Sequence, residues 1–288
     1  MILTYREAIR EGMSIRMRED PRVILFGEDT GAYGGSFGIT LAMYDEFGGD
    51  RVRDTPISES AIIGCAVGSA ATGMRPIAEL VFCDFLTVAM DQIANQAAKM
   101  RYMFGGKISL PMVVRMPAGA GQGGAAQHSQ SLEAWVTHVP GLKVVYPSTP
   151  QDALGLILSA IDDDNPVIYF ENKIIKEKAD ITNFDPIPLG KGNIVREGTD
   201  ISVITYGLQV YDAKKAADIL AKDGISLEII DLRTLYPLDK DMIRSSIAKT
   251  HHAIVITEET KRGGYGGEIS ATIAEEMFDE LDGPVVRI

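Results

Sequence analysis

The chain has 288 residues, 45% of them hydrophobic and 24% charged, with a formal net charge of −12. At roughly 150 residues per domain this length predicts two domains with real cores, and the composition is that of an ordinary soluble globular protein. The acidic balance excludes general binding to nucleic acid or to an anionic membrane, both of which require a basic face.

Residues 1–7 show no basic region followed by an apolar core, which argues against a signal peptide. No run of ~18 apolar residues marks a membrane span, and a cytoplasmic location is expected. Residues 4–18 form a predicted amphipathic helix, with Ala8, Ile9, Met13 and Ile15 on or near one side. Val23 to Phe26 reads as a buried strand, followed by the glycine-rich loop Gly31 to Gly38. Asp54-Thr55-Pro56-Ile57-Ser58-Glu59-Ser60 then leads into a helix of almost wholly small residues, Ala61 to Gly73, with Pro56 and Ser58 as start signals and Gly73 as the stop. Such a helix admits close approach of another backbone, so Glu59 is expected where two large bodies meet. A strand from Pro76 to Val81, a helix from about Phe85 to Met103 and a strand from Met112 to Arg115 follow. Next come a strand at 142–145, a helix at 150–161 and a strand at 167–170.

Composition shifts over Lys173–Gly192, where Pro186, Pro188, Gly190 and Gly192 mark a linker. Strands at 201–205, 227–231 and 253–257 then alternate with helices near 209–222, 239–249 and 267–278. The expected organisation is a first α/β domain over residues 1–180, a linker over 181–192 and a second α/β domain over 193–288. Both should hold parallel sheets flanked by helices, because short apolar runs separated by helical patterns bury both faces of each strand. Residues 285–288 read as a strand with no element after it, the pattern expected of a chain lacking a tail. Cys65 and Cys83 lie in apolar segments without metal-binding spacing, and both are expected to be buried, reduced thiols.

Gly119-Ala120-Gly121-Gln122-Gly123-Gly124 matches G-x-G-x-x-G after a strand, but the polar segment 127–131 that follows makes a poor crossover helix. A flexible glycine-rich loop carrying His128 fits better. His128 can exchange a proton or hold a developing oxyanion, and equally can be a loop histidine bound to backbone. His138, His251 and His252 read as structural. Glu59 has two readings as well: a first-turn carboxylate complementing the helix dipole, or a desolvated carboxyl group sharing a proton with a bound heterocycle. The acidic turn Asp162-Asp163-Asp164-Asn165 reads more readily as a solvated loop than as oxygen ligands for a hard cation. No G-x-x-x-x-G-K-[ST] phosphate loop is present.

Taken together, these residues resemble the β subunit of the thiamine-diphosphate-dependent decarboxylating component of 2-oxo acid dehydrogenase complexes. The resemblance spans nearly the whole chain. It is carried by Phe26-Gly27-Glu28-Asp29, the run Arg51 to Glu59, Gly73 to Glu79, Asp91 to Lys99, Gln127-His128-Ser129-Gln130-Ser131 and Pro140 to Val145. In the second half it continues in Ile229 to Leu235 and Gly263-Gly264-Tyr265-Gly266-Gly267-Glu268.

The resemblance implies a pyrimidine-binding domain followed by a transketolase C-terminal-like domain. The family holds the cofactor diphosphate and Mg²⁺ with a Gly-Asp-Gly motif that this chain lacks. That absence implies an α subunit carrying the motif, an active site at the αβ interface and an α2β2 heterotetramer. The residue matching Glu59 hydrogen-bonds a ring nitrogen of the aminopyrimidine. It favours the imino tautomer that removes the thiazolium C2 proton, and the resulting ylide attacks the substrate carbonyl. Phe85 stacks on the pyrimidine, Ile57 lines the same pocket, and His128 faces the reacting carbon and assists acyl transfer to the lipoyl group of a dihydrolipoyl acyltransferase core. Family members also hold a structural K⁺, here implied at Met112, Ala160, Ile161, Asp163 and Asn165. Phe82-Cys83-Asp84-Phe85 and the run Gln96 to Lys107 look most like acetoin dehydrogenase, then pyruvate dehydrogenase. A branched-chain 2-oxo acid member or a non-catalytic scaffold subunit is the alternative.

Overall fold

The computed structural model describes residues 1–288. Strand β1 (Ile2–Thr4) leads directly into helix α1 (Tyr5–Glu19) through a reciprocal cap. The Thr4 hydroxyl accepts from Glu7 N at 3.2 Å, and the Glu7 carboxylate accepts from Thr4 N at 2.8 Å. There follow β2 (Val23–Gly27), α2 (Met43–Phe47), β3 (Val52–Asp54), α3 (Glu59–Ala71), β4 (Arg75–Glu79), α4 (Ala98–Met103) and β5 (Val113–Ala118). Then come α5 (Glu133–Thr137), β6 (Lys143–Val145), α6 (Pro150–Asp162), β7 (Val167–Asn172) and β8 (Lys178–Asp180). The second half holds β9 (Asn193–Arg196), β10 (Ile201–Thr205), α7 (Gln209–Leu220), β11 (Leu227–Asp231), β12 (Thr234–Tyr236), α8 (Lys240–Thr250), β13 (Ala253–Val255), α9 (Tyr265–Glu276) and β14 (Val286–Arg287).

The first sheet runs β12-β6-β7-β5-β4-β2-β3, parallel except for β12 at its edge. The second runs β14-β13-β10-β11-β9, parallel except for β9. Every residue of β5, β7 and β11 is buried, as expected of apolar strands covered by helices on both faces. Helices α1 and α6 pack closely because Gly12 has no side chain; a Cβ there would meet Ile157 Cγ2 at 2.3 Å. One apolar core runs from Ile62 and Val67 through Leu142 and Tyr146 to Ile204, Ile243 and Ile269, so the two halves share buried surface. No helix is long and apolar enough to cross a membrane.

The structure departs from the sequence expectations at two places and adds two pairings that the sequence did not suggest. The helix expected over Phe85–Met103 is broken: a 3-10 turn spans Cys83–Thr87, and a π-helical segment, Gln92–Ala97, precedes α4. The Asp84 carboxylate binds Gln130, across the loop, instead of capping a continuous helix. Cys65 is exposed, not buried. Helix α3 turns Ser60, Ala61, Cys65 and Gly68 outward and packs Ile62, Ile63, Ala66 and Val67; small apolar residues on both faces hide this division from the periodicity. After β7, β8 pairs with β1, and Ile187 N donates to Gly155 O at 3.0 Å, along α6. Finally, β12, from the second half of the chain, crosses over to pair with β6.

Candidate active site

Strands β2, β3, β4 and β5 are parallel, so their carboxyl ends lie along one edge of the first sheet. Four segments leave that edge: Glu28 after β2, the Glu59 segment after β3, the Phe85 turn after β4 and the His128 loop after β5. Open α/β sheets bind ligands outside this edge.

Glu59 opens α3 and is 8% exposed, yet no group of the chain donates a hydrogen bond to its carboxylate. Its N-cap, Ser58, makes no capping bond. Burial, and then the neighbouring Glu59 carboxylate, push the Glu28 carboxyl above its ordinary value. One Glu28 oxygen is buried without a partner. Glu59 and one Glu28 oxygen thus have unmet hydrogen-bonding capacity at this strand edge, which suits them to a bound base. The Ser60 hydroxyl donates to Val88 O at 2.7 Å and ties the start of α3 to the Phe85 turn.

His128 sits in a loop as expected, inside the short 3-10 turn Ala126–His128, with no crossover helix after the glycines. Its ring meets Phe82 edge-on at 4.5 Å and Phe85 at 5.6 Å between centroids. Phe37 packs on the far side of Phe82 at 5.5 Å. Lys173 donates from Nζ to the His128 carbonyl at 2.5 Å and lies 5.2 Å over the Phe82 ring. Glu258, from the second half, accepts from Ala120 N at 2.7 Å. Gly119 adopts φ +89°, and a Cβ there would lie 2.7 Å from Glu258, so only glycine admits this clasp. Ile57 is 81% exposed, and Tyr33, Leu41 and Val88 are exposed as well, so the rim of the site is apolar and uncovered.

Met112, Ala160, Ile161, Asp163 and Asn165 gather elsewhere, at the amino ends of β5 and β7, on the opposite edge of the sheet from His128. The oxygens of Met112, Ile161, Asp163 and Asn165 already have protein donors. Arg75 Nη1 donates to Ile161 O at 2.9 Å and to Asp163 O at 3.2 Å. Lys143 pairs with the Asp163 carboxylate, Arg101 donates to Asn165 Oδ1 at 2.6 Å, and Met112 O accepts from Val167 N at 2.9 Å. The Arg75 guanidinium supplies the positive charge facing Ile161 O and Asp163 O.

Behind the His128 loop, Glu133 is fully buried and both of its carboxylate oxygens lack partners. Burial, then Glu259 and Glu258, push its carboxyl up to about 8. A carboxyl raised in the folded state binds its proton more tightly folded than unfolded. Its contribution is therefore complete below the ordinary value of 4.5 and is lost as pH rises through about 8. The chain is expected to unfold at higher urea at pH 6 than at pH 8.5, with Glu133 accounting for at most about 2.5 kcal/mol of the difference. Glu133→Gln should flatten that pH dependence in urea titrations, and an unchanged slope would refute the assignment.

Sequence reasoning missed Asp84, Gln130, Lys173 and Glu133. Asp84 and Gln130 lay inside runs already noted as distinctive, but their pairing spans 46 residues. Glu133 is indistinguishable in sequence from a first-turn cap.

Comparison with known proteins accounts for this arrangement. The family described as "Transketolase, pyrimidine binding domain" matches residues 2–176, and "Transketolase, C-terminal domain" matches residues 190–288. The 2-oxoisovalerate dehydrogenase subunit beta of Bacillus subtilis is 47% identical over 100% of this chain and 89% of its own length. The acetoin:2,6-dichlorophenolindophenol oxidoreductase subunit beta of Cupriavidus necator is 49% identical over 97% of this chain and 86% of its own. A pyruvate dehydrogenase E1 component subunit beta of B. subtilis is 43% identical over 99% and 89%. Among solved structures, a split-gene transketolase described as an inactive beta4 tetramer superposes with a TM-score of 0.81 at 20% identity, covering 99% of this chain and 88% of that one, which shows the shared fold. The chain belongs to the family of transketolase-fold β subunits of the 2-oxo acid, acetoin and pyruvate dehydrogenase complexes.

Proposed function

We propose that the chain is the β subunit of a cytoplasmic α2β2 heterotetramer that uses thiamine diphosphate to cleave acetoin or decarboxylate a 2-oxo acid and passes the acyl group to lipoamide on a dihydrolipoyl acyltransferase core. Acetoin ranks first and pyruvate second; the 47% identity to a 2-oxoisovalerate dehydrogenase subunit keeps the branched-chain reading in view. The observation that carries the reading is the unpartnered Glu59 carboxylate beside Glu28 on the same strand edge as the Phe85–His128 cluster. The exposed Ile57, Val88, Tyr33 and Leu41 supply a rim that an α subunit would cover. That subunit would also bring the diphosphate and Mg²⁺ ligands, since this chain has no Gly-Asp-Gly.

When bound, thiamine diphosphate supplies the carbon nucleophile and the electron sink. This chain's part is to orient and to move protons. Glu59 holds a proton against the pyrimidine ring nitrogen, and the adjacent Glu28 keeps that proton in a desolvated setting. Phe85 packs against the ring, and Ile57 helps exclude water. His128, held by Lys173 and the aromatic rings, presents its imidazole to the acyl group. Met112, Ala160, Ile161, Asp163 and Asn165 lie too far along the strands to take part, so a K⁺ there would act on stability alone.

Co-expression with an α subunit from the same source, followed by assay with acetoin, pyruvate and branched 2-oxo acids and a dye acceptor, tests the proposal. Thiamine-diphosphate-dependent turnover of one of them is expected; silence with all three would sink it.

A further inference from the structure

His128 owes its position to the base of its loop. Gly119 N donates to Gln130 O at 3.1 Å, which closes residues 119–130 into a compact Ω-type loop. Gln130 is gripped from outside the loop as well. Its backbone N–H and its side-chain amide both donate to Asp84 Oδ1, at 3.2 and 2.9 Å. The Cys83 thiol donates to the Gln130 carbonyl at 3.2 Å.

Asp84 is 3% exposed; its Oδ1 takes both of its hydrogen bonds from this loop, while Oδ2 faces only the neighbouring Cys83 thiol at 3.9 Å. Burying a carboxylate is costly unless its donors stay in place, so the bond fixes both partners. Asp84 also precedes Phe85 directly, and its carbonyl accepts from the Thr87 hydroxyl at 2.9 Å within the 3-10 turn. One residue therefore joins the turn that carries the Phe82 and Phe85 rings to the loop that carries the imidazole. Lys173, holding the His128 carbonyl from just after β7, is the second anchor.

We propose that Asp84 is a positioning residue for His128: through Gln130 it fixes the neck of the 119–130 loop and so sets the imidazole against the Phe82 and Phe85 rings. The functional half of this inference rests on the role given to His128 under Proposed function. The structural half does not.

The test uses the αβ assembly carrying Asp84→Ala, with Asp84→Asn, which keeps the accepting oxygen, as the rescue variant. In Asp84→Ala, amide hydrogen exchange over residues 119–130 should rise about tenfold or more, with other segments unchanged. Acyl transfer to a lipoyl domain should fall about a hundredfold, while dye-coupled turnover and thiamine C2 proton exchange stay within about threefold. Asp84→Asn should restore most of both. Should Asp84→Ala fail to fold, Gln130→Glu, which sets a carboxylate against Asp84, must show the same split. Unchanged exchange in the loop overturns the proposal. So does an equal loss in both half-reactions, which marks a merely structural residue. A loop that loosens in an assembly whose wild type turns over no substrate supports the clamp and refutes the functional reading instead.

Discussion

Replacing Glu59 by Gln in the assembled protein is expected to slow exchange of the thiamine C2 proton about a thousandfold, within the range of a lost general acid or base. Assembly should stay intact. Glutamine matches glutamate in size, and the carboxylate has no hydrogen bond within its own chain for the fold to lose. What the amide cannot do is share a proton with a ring nitrogen. The competing reading, a carboxylate that only complements the α3 dipole, predicts a loss of about 0.5 kcal/mol and no change in exchange. Proton exchange followed by NMR after acid quench, together with a thermal melt, separates the two. Wild-type exchange in the variant would remove Glu59 from the chemistry.

Arg115→Met is expected to destabilise the fold by about 3–5 kcal/mol, read as a lower urea midpoint. Arg115 lies on β5 and is fully buried between two carboxylates. Its Nε donates to Glu171 Oε1 at 2.6 Å, and its Nη1 and Nη2 donate to Glu79 Oε2 at 3.0 and 2.8 Å. One positive charge serves two acids, so burial and the proximity of Glu79 push the Glu171 carboxyl up to about 7 despite the guanidinium. Removing the arginine strands both acids in the centre of the sheet. Replacing the whole trio by Arg115→Met, Glu79→Leu and Glu171→Leu should recover most of the loss, because the cost lies in unpaired buried charge and not in the absence of the ion pair. An unchanged midpoint in the single variant would show that water reaches the trio.

Much of this molecule was legible in its residues. The runs at 23–26, 167–170 and 227–231 form the strands β2, β7 and β11, because a strand covered on both faces is mostly apolar. Glu59 stood out through its place before a small-residue helix, and His128 through its glycine-rich surroundings. The Phe85–Met103 segment suggests one long helix, which the structure breaks at the Cys83–Thr87 turn. Its break follows from Asp84, whose partner Gln130 lies across the fold. Cys65 was read as buried because small apolar residues leave no polar face to mark the outside of α3.

The sequence by itself determined the alternation of strands and helices and the membership of this family, and it singled out the two residues proposed for its chemistry, since each depends on a local pattern or a contiguous motif. The tertiary structure decided what those residues touch. It set Glu28 beside Glu59, closed the His128 loop with Asp84, Lys173 and Glu258, and carried β12 back to the first sheet. These pairings join residues distant in sequence, and each is stabilised by desolvation and hydrogen bonding that exist only once the chain has closed around them. No periodicity within a single segment encodes them.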